Sequence, residues 1–294
     1  MEKRAWFSNT PLALALAAPQ VLLVLVFFYW PSGAALYWAF TLEQPWGGGN
    51  TFVGLDNFRA IFADAHYWNS VFLSVVFAVA STALAMTLGM LLALAVDRRL
   101  KGHAGFRWAL IWPYAIAAPA AGLAFRFLLS PEAGMIAYLN HSFPGLWNPV
   151  VNGTQAMILI IVAYSWKYVA YNFLFMLAGL QSIPKSLVEA GAMDGARPLR
   201  RVRDIQLPLL TPTIFFLVIV NLTDSFVDSF GIVDLTTEGG PNKSTELLVY
   251  KIYFDGFRGL DYSGAAAQSI ILMLLVIVLT FVQFRFVERK IHYS

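Results

Sequence analysis

Charged residues interrupt the otherwise apolar parts of this chain at only a few positions. They are Arg126, Lys167, Asp224 and Asp228. A charge in hydrocarbon costs at least a few kcal/mol, so such residues normally face a protein interior or an aqueous path. Three tyrosines recur around Lys167 at helical spacing, and an asparagine follows the last of them: Tyr164, Tyr168, Tyr171 and Asn172. An ammonium beside phenol hydroxyls is a suitable transient partner for an anionic solute such as a phosphate ester.

A second polar stripe runs along a later apolar segment. Its members recur at spacings of three and four and are Asn221, Ser225, Asp228 and Ser229. We predict that the two stripes line a substrate pathway. A structural alternative stays open, in which Lys167 only neutralises Asp228 or Asp224. For Arg126, near the end of its segment, we favour a side chain that snorkels to the membrane surface.

Catalytic and metal-binding patterns are missing from the sequence. There are no cysteines, and the four histidines lie without metal-ligand spacing. No glycine-rich phosphate loop ending in Gly-Lys-Ser/Thr occurs, nor does a Gly-x-Ser-x-Gly or His-Glu-x-x-His pattern. We therefore predict no catalytic, cofactor-binding or metal-binding residues. Energy for any work must then come from a partner or an ion gradient.

Six apolar runs are long enough to cross a bilayer. Hydrophobic residues make up 59% of the chain and charged residues 13%, roughly half the charged share of a soluble domain. A bilayer core about 30 Å thick needs about 20 apolar residues in a helix. Runs of that length lie at 11–31, 68–96, 106–129, 155–180, 209–230 and 265–284. They predict an all-α membrane protein with a six-helix transmembrane domain over residues 11–287 and short tails at 1–10 and 288–294.

The basic residues predict the orientation of these helices. Cytoplasmic connections keep the excess of Lys and Arg. The two tails, the second connection and the fourth connection hold 14 of the 20, whereas the third connection, residues 130–154, holds none. Both termini are therefore expected in the cytoplasm, and the third connection outside. Since the basic excess is a topology signal, no nucleic-acid partner is expected.

The fourth connection, residues 181–208, has the features of a helix-turn-helix. Pro184 can lie in the first turn of a helix, where its missing N–H costs nothing. Gly195 ends this helix at about Met193, because glycine accepts the left-handed conformation, and Pro198 can open a second helix. Flanked by positive charges, this compact knob at the membrane surface is shaped to fit a socket.

The knob carries the motif through which the chain resembles a known family. Its residues, in order, are Glu189-Ala190-Gly191, Asp194-Gly195-Ala196, Ile205, Leu207-Pro208-Leu209 and Pro212. This order resembles the EAA loop of bacterial binding-protein-dependent ABC importer permeases. The resemblance implies the type I ABC importer permease fold. It also implies that the residues from Glu189 to Ala196 couple the chain to an ATP-binding subunit, with the glutamate helping to anchor it. Gly191 departs from the family, which usually has alanine there.

Other segments resemble the carbohydrate, maltose-type branch of this family. They are Phe52–Phe58, Pro113-Tyr114 and Gly239–Pro241. At finer grain, four more resemble the A-type permeases of sn-glycerol-3-phosphate importers: Tyr171–Phe175, Leu180–Pro184, Tyr250–Tyr253 and Gln283–Glu288. In the maltose branch, residues of the same two helices hold the solute, but among the corresponding positions here only Tyr171 matches in type. The location of the pathway therefore carries over, and the sugar specificity does not.

The resemblance also implies the partners. A homologous second permease would complete a heterodimer, and two ATP-binding subunits would bind ATP and Mg on the cytoplasmic side. An external solute-binding protein would deliver the solute. The chain itself would bind no cofactor, would not be an enzyme and would lie in the lipid of a bacterial inner membrane. The expected solute is sn-glycerol-3-phosphate or a glycerophosphodiester, and the alternatives are a sugar permease of the same family and an ion-coupled secondary transporter.

Overall fold

A computed structural model of the chain describes residues 10–43, 48–97, 110 and 112–287. In chain order, the helices are α1 (Thr10–Val24), α2 (Trp30–Ala39), α3 (Asp56–Ala63), α4 (Ala65–Asp97), α5 (Ala118–Leu128), α6 (Ala137–Ser142), α7 (Gly153–Ser182), α8 (Lys185–Met193), α9 (Pro198–Arg201), α10 (Leu207–Leu209), α11 (Thr211–Val227), α12 (Phe230–Thr236), α13 (Leu248–Tyr253) and α14 (Tyr262–Val287). A 3-10 turn lies at Trp112–Ala115, and wider π-helical turns lie at Leu25–Tyr29, Val202–Gln206 and Phe254–Arg258. The chain divides into two compact units, one up to Asp64 with Ile252–Ile271, the other Ala65–Lys251 with the chain from Leu272 onward.

The first unit contains a long apolar helix and a small hairpin. In the helical stretch Pro11–Ala39, no residue of the most apolar part is buried inside the protein. Strands β1 (Thr41–Glu43) and β2 (Asn50–Phe52) pair antiparallel, which corrects the expectation of an all-α chain. The Asn57 amide donates to the carbonyl oxygens of Ala39 and Thr41, at 2.9 Å each, and so ties the start of α3 to the start of the hairpin.

The second unit is built on the close contact between α4 and α7. A Cβ atom at Gly89 of α4 would lie 2.7 Å from Asn172 Cβ and 3.0 Å from Phe173 N of α7, so this crossing needs glycine. Ser165 Oγ donates across it to the Ser81 carbonyl oxygen at 3.1 Å. The buried core at the knob end of these helices comprises Ala93, Val96, Phe173, Met176, Leu177, Leu180, Ile183, Leu210 and Leu217.

Within the described residues, four helices are long and apolar enough to cross a membrane: Pro11–Ala39, Ala65–Asp97, Gly153–Ser182 and Tyr262–Arg285. They correspond to four of the six runs in the sequence. A fifth candidate is the pair Pro198–Leu209 and Thr211–Val227, which is bent by 70°. Helix α11 (Thr211–Val227) therefore covers only part of the run 209–230.

The run at 106–129 does not form one continuous helix. Residues 106–109 and 111 lie outside the described part of the chain, a 3-10 turn covers Trp112–Ala115, and α5 is only 11 residues long. Pro113 accounts for the interruption, because proline removes a helical hydrogen bond and restricts the residue before it.

Candidate functional site

Lys167 and Asp228 form an ion pair between two helices. Lys167 lies in the middle of α7, and Asp228 follows the last residue of α11. The Lys167 Nζ atom is 3.0 Å from Asp228 Oδ2. The Tyr168 hydroxyl lies 3.0 Å from the same oxygen and 3.5 Å from Asp224 Oδ2. The structure therefore contains the neutralising pair that was the structural alternative for Lys167, with Asp228 as its partner.

The pair lies at the edge of the protein interior. The Asp228 carboxylate is at the C-terminal end of α11, where the helix dipole disfavours a negative charge, so a nearby cation stabilises it. The Lys167 side chain is 12% exposed, and that of Asp228 is 47% exposed. The ammonium is thus the enclosed member, while the carboxylate has open surroundings on one side.

The tyrosines form a stacked array beside the pair. The rings of Tyr164 and Tyr168 stack with their centroids 4.4 Å apart, and those of Tyr171 and Tyr114 stack at 5.4 Å. The Lys167 Nζ atom lies 5.5 Å from the centre of the Tyr168 ring, within the range of a cation–π contact. The Tyr168 ring therefore flanks the ammonium on the α7 side, and the other tyrosine rings extend the array from it.

The asparagines form a closed link between α7 and α11. Asn172 and Asn221 exchange two hydrogen bonds, each 2.9 Å from Nδ2 to Oδ1. Each Nδ2 also donates within its own helix, to the Tyr168 carbonyl oxygen at 2.9 Å and the Leu217 carbonyl oxygen at 2.7 Å. Both side chains are fully enclosed, so this amide pair holds the two helices together beneath the ion pair.

The serines of the second stripe are also buried. Ser225 Oγ donates to the Leu222 carbonyl oxygen of its own helix at 2.7 Å, and Ser229 is 0% exposed. Of the residues predicted to line a pathway, the structure leaves access to the surroundings at Lys167, Tyr171 and Asp228. The remaining members lie between helices.

Two residues near the pair were not among the predicted pathway residues. Tyr114 stacks on Tyr171 and is 46% exposed, and Asp224 lies within reach of the Tyr168 hydroxyl. The sequence signal for Tyr114 is the adjacent Pro113, since non-helical backbone at membrane depth is tolerated where it is enclosed by protein or lines a cavity.

The knob has the helix-turn-helix structure expected from the sequence. Helix α8 ends at Met193, and Gly195 adopts φ = +79°. The Ala196 N–H donates to the Gly191 carbonyl oxygen at 3.0 Å, and the Gly195 N–H donates to that of Ala192 at 3.1 Å. These two bonds form a Schellman motif, which requires a residue with positive φ at the position of Gly195.

The glycine that departs from the family motif has a packing role. A Cβ atom at Gly191 would lie 2.7 Å from Ile205 Cδ1. Gly191 is buried, so the absent methyl group allows α8 to approach the turn Val202–Gln206 closely. The knob is therefore compact because α8 and the turn Val202–Gln206 are in contact at this position.

The knob is joined to the helix core on one side and exposed on the other. Val188 of α8 packs against the core cluster, and Ile183 belongs to it. On the outer side, Met193 is 88% exposed and Leu199 is 80% exposed. Glu189 is also exposed. The knob thus presents apolar and acidic groups outward while its base is fixed to α4, α7 and α11.

Within the part of the chain that the structure describes, the polar cluster around Lys167 and the knob contain groups suited to binding and no groups arranged for catalysis. Among the described residues, no group of three or more histidine or carboxylate side chains could hold a metal ion. The accessible groups of the polar cluster are the Lys167 ammonium, the Tyr171 phenol and the Asp228 carboxylate, and the knob has an exposed surface around Met193 and Leu199.

Residues 142–293 match the family of binding-protein-dependent transport system inner membrane components. The chain belongs to this family. The matched residues include both the knob and the two polar stripes. The resemblance inferred from the EAA-like motif is therefore confirmed, and the permease is a multi-pass inner-membrane transport subunit instead of an enzyme.

Relatives of this permease match it along nearly its whole length. It is 50% identical over 292 residues to the sn-glycerol-3-phosphate transport system permease protein UgpA of Rhizobium meliloti (strain 1021), covering 99% of this chain and 100% of the relative. It is 49% identical over 292 residues to the UgpA protein of Brucella abortus biovar 1 (strain 9-941), with the same coverage.

Solved structures match the permease in fold. A chain of a bacterial ABC transporter involved in the import of the acidic polysaccharide alginate superposes with a TM-score of 0.81 at 22% identity, covering 95% of both chains. A chain of the MetNI methionine ABC transporter superposes with a TM-score of 0.51 at 16% identity, covering 76% of this chain and 94% of that one. The expected ABC importer permease fold is thus present.

Proposed function

We propose that this chain is a permease subunit of an ATP-driven, binding-protein-dependent importer of sn-glycerol-3-phosphate or glycerophosphodiesters. The observation that carries the proposal is the 50% identity, over 99% of the chain, to a relative named as an sn-glycerol-3-phosphate permease. The chemistry of the polar cluster agrees, because an enclosed ammonium among phenol groups suits a phosphate ester.

The proposed assembly contains a homologous second permease, two ATP-binding subunits and an external solute-binding protein. ATP and Mg are bound by the ATP-binding subunits, and this chain holds no cofactor. One of the structural neighbours was solved in complex with a periplasmic protein that carries an alginate pentasaccharide, which supports a binding protein as the donor of the solute.

The proposed topology has six spans and both termini in the cytoplasm. The basic residues support it, because 14 of the 20 fall in the tails and in the second and fourth connections. In this arrangement the stretch 106–129 forms the third span through its interrupted helix. The bent segment ending in α11 forms the fifth.

We assign the coupling role to the knob. Its motif residues are Glu189, Ala190, Gly191, Asp194, Gly195 and Ala196. The support is structural: the exposed Met193 and Leu199 can enter a socket, and the Schellman motif and the contact at Gly191 make the knob rigid. Movement of an attached ATP-binding subunit would then pass through Val188 and Ile183 to the helix core.

We assign the solute contact to the accessible part of the polar cluster. When a phosphate ester reaches Lys167, it replaces Asp228 as the partner of the ammonium. Asp228 can withdraw because its side chain is already 47% exposed. Tyr171 supplies a further accessible hydroxyl group, whereas the buried tyrosines, asparagines and serines maintain the helix spacing.

The proposal is tested by the ATPase activity of the complete importer in proteoliposomes. The binding protein is loaded in turn with sn-glycerol-3-phosphate, a glycerophosphodiester and maltose. We expect several-fold stimulation with the phosphate-containing solutes and none with maltose. Stimulation by maltose alone would support the sugar permease. Uptake by this chain alone, driven by an ion gradient without ATP, would support the secondary transporter and overturn the proposal.

A further inference from the structure

The third connection, residues 130–154, places large apolar side chains on its outside. Six of them are more than half exposed, at 56–79%: Met135, Tyr138, Phe143, Leu146, Val150 and Val151. They come from one short stretch that includes α6 and the turns after it. A water-exposed loop normally has polar residues at such positions, so this stretch presents an unusually apolar surface.

Three polar side chains in this connection or next to it, those of Asn140, Trp147 and Gln155, bond to backbone groups at its two ends and in its middle. Asn140 Nδ2 donates to the Trp147 carbonyl oxygen at 2.6 Å, and Asn140 Oδ1 accepts from the Trp147 N–H at 3.0 Å. The Trp147 indole N–H donates to the Leu129 carbonyl oxygen at 2.9 Å, and the Gln155 amide donates to that of Leu146 at 3.0 Å. Side chains that could bond water are used instead to satisfy backbone groups.

These backbone hydrogen bonds meet the requirement that lipid imposes on a polypeptide. Backbone polar groups near hydrocarbon must be satisfied within the protein, because no water is available there. The connection carries a single charged residue, Glu132, near its beginning. The connection thus combines satisfied backbone groups with exposed apolar side chains, and the polar side chains exposed between them, such as His141 and Ser142, are uncharged or weakly basic, which suits the boundary between water and lipid.

The position of the connection in the chain provides the neighbour. It joins the end of α5 at Leu128 to the start of α7 at Gly153, and α7 is a candidate membrane span. Its exposed Tyr138 is of the type that collects at the interface between headgroups and acyl chains, and Phe143 is of the type found on the apolar face of interfacial helices. We propose that the third connection lies in this interface, in the outer leaflet, with its six exposed apolar side chains in contact with lipid. The assignment to the outer leaflet rests on the proposed topology, whereas contact with lipid does not.

A lipid neighbour fits this surface better than a protein neighbour. Protein interfaces carry about one hydrogen bond per 100–200 Å². The amide oxygens of two asparagines here already accept from nearby backbone groups: Asn148 Oδ1 accepts from Val150 N at 3.1 Å, and Asn152 Oδ1 accepts from Thr154 N at 3.0 Å and Gln155 N at 3.2 Å. The six exposed apolar side chains match acyl chains, and the exposed His141 and Ser142 between them match the headgroup and glycerol region of the bilayer.

The absence of cysteine from the chain allows a direct test. Phe143→Cys and Val150→Cys are spin-labelled singly in the complete importer, reconstituted in lipid nanodiscs with cysteine-free partners. Collision rates are measured with oxygen, which concentrates in lipid, and with a water-soluble nickel chelate. Glu132→Cys is the matched control, because it is exposed in the same connection.

We expect several-fold more collision with oxygen than with the nickel chelate at positions 143 and 150. This corresponds to a depth of about 5–10 Å below the headgroups. At position 132 we expect more collision with the nickel chelate than with oxygen. Equal access of the nickel chelate at all three positions would place the connection in water and overturn the proposal. Protection from both reagents at 143 and 150 would show that a protein partner covers the surface, which also overturns it. If a labelled variant fails to assemble, Tyr138→Cys provides the same measurement with the same expected ratio.

Discussion

Replacing Lys167 by methionine separates a transport role from a purely structural one. Methionine keeps the length and apolar packing of the lysine stem and removes its charge. If Lys167 binds the phosphate of the solute, uptake falls while the complex still assembles. If Lys167 only neutralises Asp228, the substitution leaves a carboxylate without its cation, so the free energy of unfolding falls while the assembled complex keeps its uptake.

The structure sets the expected size of the structural effect. An exposed ion pair is worth about 0.2–1 kcal/mol, and breaking a fully buried pair costs about 3–5 kcal/mol. This pair lies between these limits, since Lys167 is 12% exposed and Asp228 is 47% exposed. The Tyr168 hydroxyl still donates to Asp228 after the substitution. We therefore expect Lys167→Met to lower the free energy of unfolding by about 1–2 kcal/mol, which leaves the complex assembled.

The expected effect on transport is larger. A hydrogen bond to a charged group contributes about 1.5–3 kcal/mol, so losing the ammonium lowers affinity along the pathway by about 10- to 100-fold. Uptake of radiolabelled sn-glycerol-3-phosphate into proteoliposomes measures this loss, and thermal unfolding of the purified complex measures stability. Lys167→Arg is the control that retains the charge and should retain most of the uptake.

The double variant Lys167→Met with Asp228→Asn decides between the two roles. It removes both members of the pair, so stability should return towards that of the wild type while uptake stays low. Wild-type uptake in the double variant would refute the transport role of Lys167. Full uptake together with unchanged stability in the single variant would refute both roles.

Three further predictions concern coupling, helix packing and topology. Glu189→Lys or Gly195→Pro should release or uncouple the ATP-binding subunit, because the first reverses an exposed charge and the second is incompatible with φ = +79°. Pull-down of the ATP-binding subunit measures this. Asn172→Leu should lower stability by about 1 kcal/mol, since it leaves the buried Asn221 amide without its partner; thermal unfolding of the complex measures it. A reporter fused after Ser294 should behave as cytoplasmic, and one inserted in the third connection as external.

Each of these predictions has a matched control and a contradicting result. Glu132→Lys reverses a charge in the third connection and should leave coupling intact, so equal loss in it and in Glu189→Lys would contradict the role of the knob. Leucine at both Asn172 and Asn221 should be less destabilising than the single change, and a larger loss would refute the paired-amide explanation. An external C-terminal reporter would refute the six-span topology.

The sequence by itself determined the features that depend on local chemistry. A span is recognisable because hydrocarbon requires about 20 consecutive apolar residues, and four of the six runs form helices that meet this requirement. The end of α8 at Met193 was also predictable, because a single glycine supplies the left-handed turn that stops the helix. The motif around Glu189 was sufficient to indicate the family.

Only the tertiary structure decided which polar groups meet. Lys167 could have paired with either aspartate, since Asp224 and Asp228 are one turn apart on the same helix, and the rotation and end point of α11 select Asp228. In the same way, the stripe of α7 residues separates into an enclosed Asn172 and an accessible Tyr171 only when α11 packs against it. Helical spacing states which residues share a face. The relative rotation of two helices, which many weak contacts fix together, determines what that face touches.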